Sequence, residues 1–318
     1  MKSISEMKQD KLIQLHQQQL RNFELARKNF KALGQVVYRK LSALDFHIAL
    51  QYNPARMIST NANVAPEALK ARPCFLCKEH MPPGQEGIPY GEHYHIFINP
   101  YPIFEKHFTV PSNTHSPQAI DNRFEDMLNL AFDFQDYTIF YNGPECGASA
   151  PDHFHFQMAP RHIMPLEEDT ENRQLTDTLC RKEFYTISTL KEYLRKVLIL
   201  KTGERRLLPG LFGQIRQIIG KYIPCQQEPM INLLCWYAQD QWTVCIFPRS
   251  ARRPRQFYAE GEEKIMFSPG CVDMAGLIIT PREEDFRRYN IPLLSDLFGQ
   301  ITAQPSAWQE IITQIKTL

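Results

Sequence analysis

The chain has 318 residues, 43% of them hydrophobic and 22% charged, with 36 basic against 35 acidic side chains and a formal net charge of +1. That length suits two units of ordinary size or one large composite core, and the composition is that of a soluble globular protein. Balanced charge excludes a global pull toward nucleic acid or a membrane surface, so an anionic ligand must be held by local basic clusters.

The first nineteen residues are polar and lack the apolar stretch of a secretory signal. No run of 18 apolar residues could span a bilayer, which makes the cytoplasm the expected location. The eight cysteines are scattered and are expected as free thiols, with Cys74 and Cys77 alone closely paired. Residues 8–50 predict one or two amphipathic helices, because Leu12, Leu15, Phe23, Ala26, Phe30, Leu33 and Val37 recur at helical spacings. The turn-rich stretch from Asn53 to Pro66 reads as a crossing into the main body.

From about residue 68 the texture changes to short strands. His93–Asn99 and His107–Pro111 predict two of them, followed by a helix over 121–135 and a strand from Tyr137 to Tyr141. A Gly- and Pro-rich loop, 142–152, leads into the alternating strand His153–Ala159. Beyond residue 165 the sequence predicts helices at 172–195 and 210–222, strands at 230–238, 242–248 and 275–281, and a helix in the tail from Trp308. Residues 152–161 (DHFHFQMAPR) and 273–282 (DMAGLIITPR) share Asp, Pro and Arg at matched positions, which raises the expectation of an internal repeat. If so, one half is chemical and the other a supporting or binding half.

Chemistry concentrates on one strand. His153, His155 and Gln157 are two apart and share a face, whereas Phe154, Phe156 and Met158 turn into a core. The preceding loop holds Asn142, Gly143, Gly147 and Ser149, whose backbone N–H and hydroxyl groups suit phosphoryl oxygens. Further on, Arg249, Arg252, Arg253 and Arg255 fall within seven residues, and planar guanidinium groups match phosphate. Arg249 and Arg253 are candidates for a distal phosphate, with Lys264 and Arg282 weaker ones.

The run from Tyr141 to Gln157 (YNGPECGASAPDHFHFQ) resembles the active-site strand of the histidine-triad superfamily. It is most similar to the branch of galactose-1-phosphate uridylyltransferase, diadenosine tetraphosphate phosphorylase and GDP-galactose phosphorylase. The likeness covers residues 51–165, is looser over 166–318, and leaves the first fifty residues without a counterpart. Six residues separate Gly147 from His153, one more than in the uridylyltransferases, and the plant-type phosphorylases share that longer spacing. The resemblance implies an α+β fold of two HIT-like halves, with antiparallel sheets packed by helices and an N-terminal helical extension. The divisions expected are 1–60 for the extension, 61–170 for the catalytic half, and 171–318 for a second half without the histidine motif.

It further implies His155 as nucleophile on an α-phosphorus, Gln157 as donor to a non-bridging oxygen, and Asn142, Gly147 and Ser149 along the phosphate path. The implied activity moves a nucleoside monophosphate from a nucleotide sugar or dinucleoside polyphosphate to phosphate or a sugar phosphate, through a nucleotidyl-His155 intermediate. The same branch places a structural zinc on positions matching Cys74, Cys77, His115 and His153, with His80, His93 and His95 as rivals. No nucleic-acid or membrane partner is expected, and the protein would be a monomer or a homodimer. The competing readings are a histidine-triad hydrolase and a non-catalytic nucleotide-binding protein, and Gln157 in place of a third histidine argues against the first.

Overall fold

The computed structural model describes residues 4–43, 45–57, 66–225 and 228–318. The expected division near residue 60 lies outside the described residues. Helices Ile4–Asn22 and Glu24–Ala32 form the predicted amphipathic start, burying Leu12, Leu15, Phe23 and Ala26. Helical structure then ends at Gln35, and the expectation of helix up to residue 50 is corrected. Strands β1 (Val37–Ala43) and β2 (Phe46–Tyr52) form an antiparallel hairpin there. The reason is a change of period: Phe46, Ile48 and Leu50 alternate and are buried, which fits one face of a strand.

The main body is one ten-stranded sheet. Its first five strands in the chain are β3 (Gly87–Tyr90), β4 (Tyr94–Ile98), β5 (Phe108–Pro111), β6 (Tyr137–Asn142) and β7 (His155–Pro160). The next five are β8 (Thr176–Arg181), β9 (Tyr185–Leu190), β10 (Leu198–Thr202), β11 (Ile231–Ala238) and β12 (Gln241–Pro248). The spatial order is β3-β4-β5-β7-β6-β11-β12-β10-β9-β8, every ladder antiparallel. Outward from the central β6–β11 junction, each set runs fourth, fifth, third, second, first. Each also places a helix between its third and fourth strands, Phe124–Asp133 and Leu208–Tyr222. The two sets of strands therefore share one topology.

This topology corrects two expectations. Residues 172–195 are the β8–β9 hairpin, not a helix, in keeping with the β-branched and aromatic content of Thr176, Thr178, Tyr185, Thr186, Ile187 and Thr189. The counterpart of β7 in the second set is β12, not residues 273–282. That segment carries β13 (Leu277–Thr280), which pairs in parallel with β2 in a separate three-stranded sheet. The shared aspartates do different work. Asp152 pairs with Arg72 at 3.0 Å, whereas Asp273 accepts N–H bonds from Gly270 and Ile279 at 2.9 and 3.0 Å.

Alternation along the strands gives the sheet two unlike faces. Ile139, Tyr141, Phe154, Phe156 and Met158 pack with Leu233, Cys235, Val244 and Ile246 under the two equivalent helices, the N-terminal helices and the Pro305–Ile315 helix. The opposite face carries Phe140, Leu234, Cys245 and Phe247, covered by the segment from Ile265 to Ile301. Gln157, Phe140, Leu234 and Cys245 lie in one cross-strand row. Where the first set presents a polar amide to a cleft, the second presents a buried thiol to a core. No described helix is long and apolar enough to cross a membrane.

Candidate active site

His155 starts β7 and is buried, with 4% of its surface exposed. Its Nδ1 lies 2.8 Å from the carbonyl oxygen of His153. A carbonyl only accepts, so Nδ1 carries the proton and Nε2 keeps its lone pair. Burial lowers the pKa of His155 to about 4, outweighing the opposing hydrogen bond to the His153 carbonyl, and keeps the ring neutral near pH 7. A neutral imidazole with a fixed tautomer is a ready nucleophile.

Gln157, two residues on, is oriented from behind. The N–H of Ile103 donates to His107 Nδ1 at 3.3 Å, so His107 Nε2–H donates to Gln157 Oε1 at 2.9 Å. With its oxygen engaged, Gln157 turns its NH2 group to the cleft. His107 is wholly buried, and desolvation, with the charge of Arg56, lowers its pKa to about 3. Asn142 is arranged alike: its Oδ1 accepts from Asn232 Nδ2 at 2.9 Å and from the Cys271 N–H at 2.7 Å, leaving its NH2 on the cavity wall. Gly147 has a φ of +96°, and a Cβ there would stand 2.7 Å from Gly270 Cα. Glycine is required at that position by the close passage of the 268–270 segment.

These groups line a cavity of about 500 Å³. His155, Gln157, Asn142, Gly147 and Ser149 all reach it, as does Arg253, held by Ser268 Oγ at 2.8 Å and stacked 3.9 Å over Phe257. Arg249 does not, and its expected role as a phosphate ligand is corrected. It is completely buried and spends all five N–H groups internally: Nε on the Ile301 carbonyl, Nη1 on Asn232 Oδ1 and the Pro269 carbonyl, Nη2 on the carbonyls of Ala251 and Arg252. Arg252 of the same cluster lines the cavity, as do Arg56 and Arg72, which sequence reasoning did not single out as ligands. Arg72 is anchored by Asp152 and lies 4.9 Å over the Phe75 ring.

The cavity has an apolar wall and several basic groups. On the β4 side of Gln157 lie Phe97 on that strand and Phe75, Leu76, Met81 and Pro82 from the preceding segment, together with Arg72 stacked on Phe75 and Arg56 bonded to the Tyr101 carbonyl. On the β6 side the lining is polar and basic, with Asn142, Ser268, Arg252 and Arg253.

Beside β7, Cys74, Cys77, His115 and His153 bring one ligand atom each within 4.8 Å of one another. Cys74 Sγ and His153 Nδ1 are 3.3 Å apart, Cys77 Sγ and His115 Nδ1 3.3 Å, and Cys77 Sγ and His153 Nδ1 3.5 Å. Tetrahedral coordination at typical zinc–sulfur and zinc–nitrogen lengths places such atoms about 3.5 Å apart. His153 Nε2 donates to the Ser112 carbonyl at 2.9 Å, which leaves Nδ1 for a cation. Burial and the adjacent Cys74 push the Cys77 thiol up to about 11, the expected state of two neighbouring thiols without a cation. The set fits a metal ion. His95 is instead 2.6 Å from Asn113 Oδ1, and His80 lies with Cys77 and Glu79.

A family model described as a domain of unknown function, DUF4922, matches residues 15–160. No curated protein matches the sequence. Among solved structures the fold is similar to that of yeast Ap4A phosphorylase Apa2. Its AMP complex shows 16% identity and a TM-score of 0.54 over 87% of this chain and 94% of that chain. Its Ap4A complex shows 15% identity and a TM-score of 0.55 over 88% and 97%. The chain thus shares the overall fold of the yeast phosphorylase.

Proposed function

We propose that this protein is a nucleotidyltransferase of the phosphorylase type that works through a covalent nucleotidyl-His155 intermediate. The observation that carries the reading is the pair of oriented groups on β7: an imidazole whose free nitrogen is Nε2, and an amide whose free end is a donor. Nε2 attacks the α-phosphorus, forming an N–P bond as the bond to the leaving oxygen breaks. The leaving group departs as a nucleotide or a sugar phosphate. An oxygen of inorganic phosphate or a sugar phosphate then attacks the same phosphorus, and the N–P bond breaks to restore His155. The His153 carbonyl holds Nδ1–H throughout and stabilises the positive charge the ring acquires. Gln157, Asn142 and Ser149 offer fixed donors to the transferred group, and the arginines meet the remaining phosphates.

The apolar wall of Phe75, Leu76 and Phe97 suits a base, and the arginines around the cavity suit the phosphates of the leaving group or acceptor. The AMP and Ap4A bound to the yeast relative support a nucleotide or dinucleoside polyphosphate in such a cavity. Cys74, Cys77, His115 and His153 would hold zinc as a closed structural site, which would clamp the residue two before the nucleophile. In this reading residues 61–170 form the catalytic half and 171–318 the supporting half. Hydrolysis is the second reading, and Gln157 in the place of a third histidine argues against it.

A donor panel of UDP-, GDP- and ADP-hexoses and Ap4A, each with and without phosphate, tests this. Phosphate-dependent release of a nucleoside diphosphate is expected from at least one donor. Release of nucleoside monophosphate alone, independent of phosphate, would identify a hydrolase and end the phosphorylase reading.

A further inference from the structure

The nucleophile's main chain is held by a side chain from outside its sheet. The β6–β7 ladder pairs Phe140 with Gln157, and two residues further along the same register Asn142 stands opposite His155. At that position the amide of Gln118 enters between the strands. Its Oε1 accepts the His155 N–H at 2.8 Å, and its Nε2 donates to the carbonyls of His155 and Asn142 at 3.0 and 2.9 Å. On the other side of β7 the residue opposite His155 is Pro111, which has no N–H to offer. Gln118 is buried, and all three of its bonds go to main-chain groups of the two strands that carry His155 and Asn142.

Gln118 is itself fixed from the second set of strands. Glu228, just before β11, accepts the Ile120 N–H at 2.9 Å and the Tyr141 hydroxyl at 2.5 Å, and that hydroxyl lies 3.2 Å from the Gln118 carbonyl. A buried carboxylate thereby pins the turn that presents the amide.

We infer that Gln118 is a positioning residue for the nucleophile: it sets the depth at which His155 Nε2 meets the α-phosphorus, and Glu228 transmits the second half's rigidity to that point. The inference rests on the nucleotidyl-transfer reading for its catalytic consequence, but the tether itself is independent of it. Gln118 has no cavity-facing atom, so it contributes to placing the imidazole and not to holding the donor. Displacement of a reacting group by about 1 Å costs roughly 100-fold in rate.

The test uses Gln118→Met, which keeps the side-chain length and removes all three bonds, and Gln118→Glu, which keeps the acceptor and removes both donors. Single-turnover adduct formation should slow about 100-fold in Gln118→Met, with donor half-saturation within about twofold of wild type. Gln118→Glu should also slow, because a carboxylate would face two carbonyl oxygens. Hydrogen exchange should accelerate at the His155 amide while protection of the Leu208–Tyr222 helix is retained. An unchanged adduct rate, or a loss confined to half-saturation, would overturn the inference, as would unchanged exchange at His155. If wild type forms no adduct while exchange at His155 responds to Gln118→Met, the tether stands and the phosphorylase reading falls. If Gln118→Met does not fold, Gln118→Glu supplies both readouts.

Discussion

At the scale of single residues, the site depends on proton placement. Two histidines are each held in one tautomer by a main-chain group, and each therefore presents a defined atom to its neighbour. His107 makes this measurable. Its pKa falls from an ordinary 6.5 to about 3 because burial, and then Arg56, disfavour the charged ring. Below about pH 6.5 the unfolded chain binds a proton that the folded chain refuses, so folded stability falls as pH drops toward 3. The slope approaches about 1.4 kcal/mol per pH unit for one such group. Urea unfolding at pH 7 and pH 5 should show a smaller loss for His107→Gln than for wild type, by roughly 1–2 kcal/mol. Equal losses would mean that His107 is not held neutral. The residues that sequence reasoning missed share a cause. Gln118, His107 and Arg56 come from segments with no motif, and what makes them matter is a partner 37, 50 or 45 positions away. Arg249 failed in the opposite sense: its cluster was visible, but five internal carbonyl and amide acceptors consume it.

At the scale of elements, β7 and its neighbours were legible because period-two alternation is strong there. His155 and Gln157 face the cleft and Phe154, Phe156 and Met158 the core, as the spacing requires. The β8–β9 and β1–β2 hairpins were not legible, since their apolar residues also satisfy helical spacings and long-range pairing decides between the two. The cysteine–histidine cluster joins elements that periodicity cannot connect: the turn at 74–77, the loop at His115 and His153 just before β7. If it binds zinc, wild type purified without chelator should carry about one zinc per chain, and Cys74→Ser should lower both the content and the melting temperature. Zinc near zero in both proteins, with equal melting temperatures, would remove the metal from the account.

At the scale of the whole molecule, two sets of five strands with one topology meet at β6 and β11 but have unlike surfaces. In the first, the face opposite the helices is a cavity with His155 and Gln157. In the second, Cys245 and Phe247 occupy the matching face beneath the 265–301 segment. That segment also returns to the site, because Ser268, Gly270 and Asp273 line the cavity and Gly270 packs on Gly147. The segment that covers the second set thus closes the site built by the first. The central claim is covalent: phosphorus bonds to one imidazole. Peptide mapping by mass spectrometry after brief mixing with Ap4A or a nucleotide sugar tests it most directly. The account predicts a nucleoside monophosphate on His155 that vanishes on adding phosphate and never forms in His155→Ala. A label on another residue, or turnover that persists in His155→Ala, would contradict it.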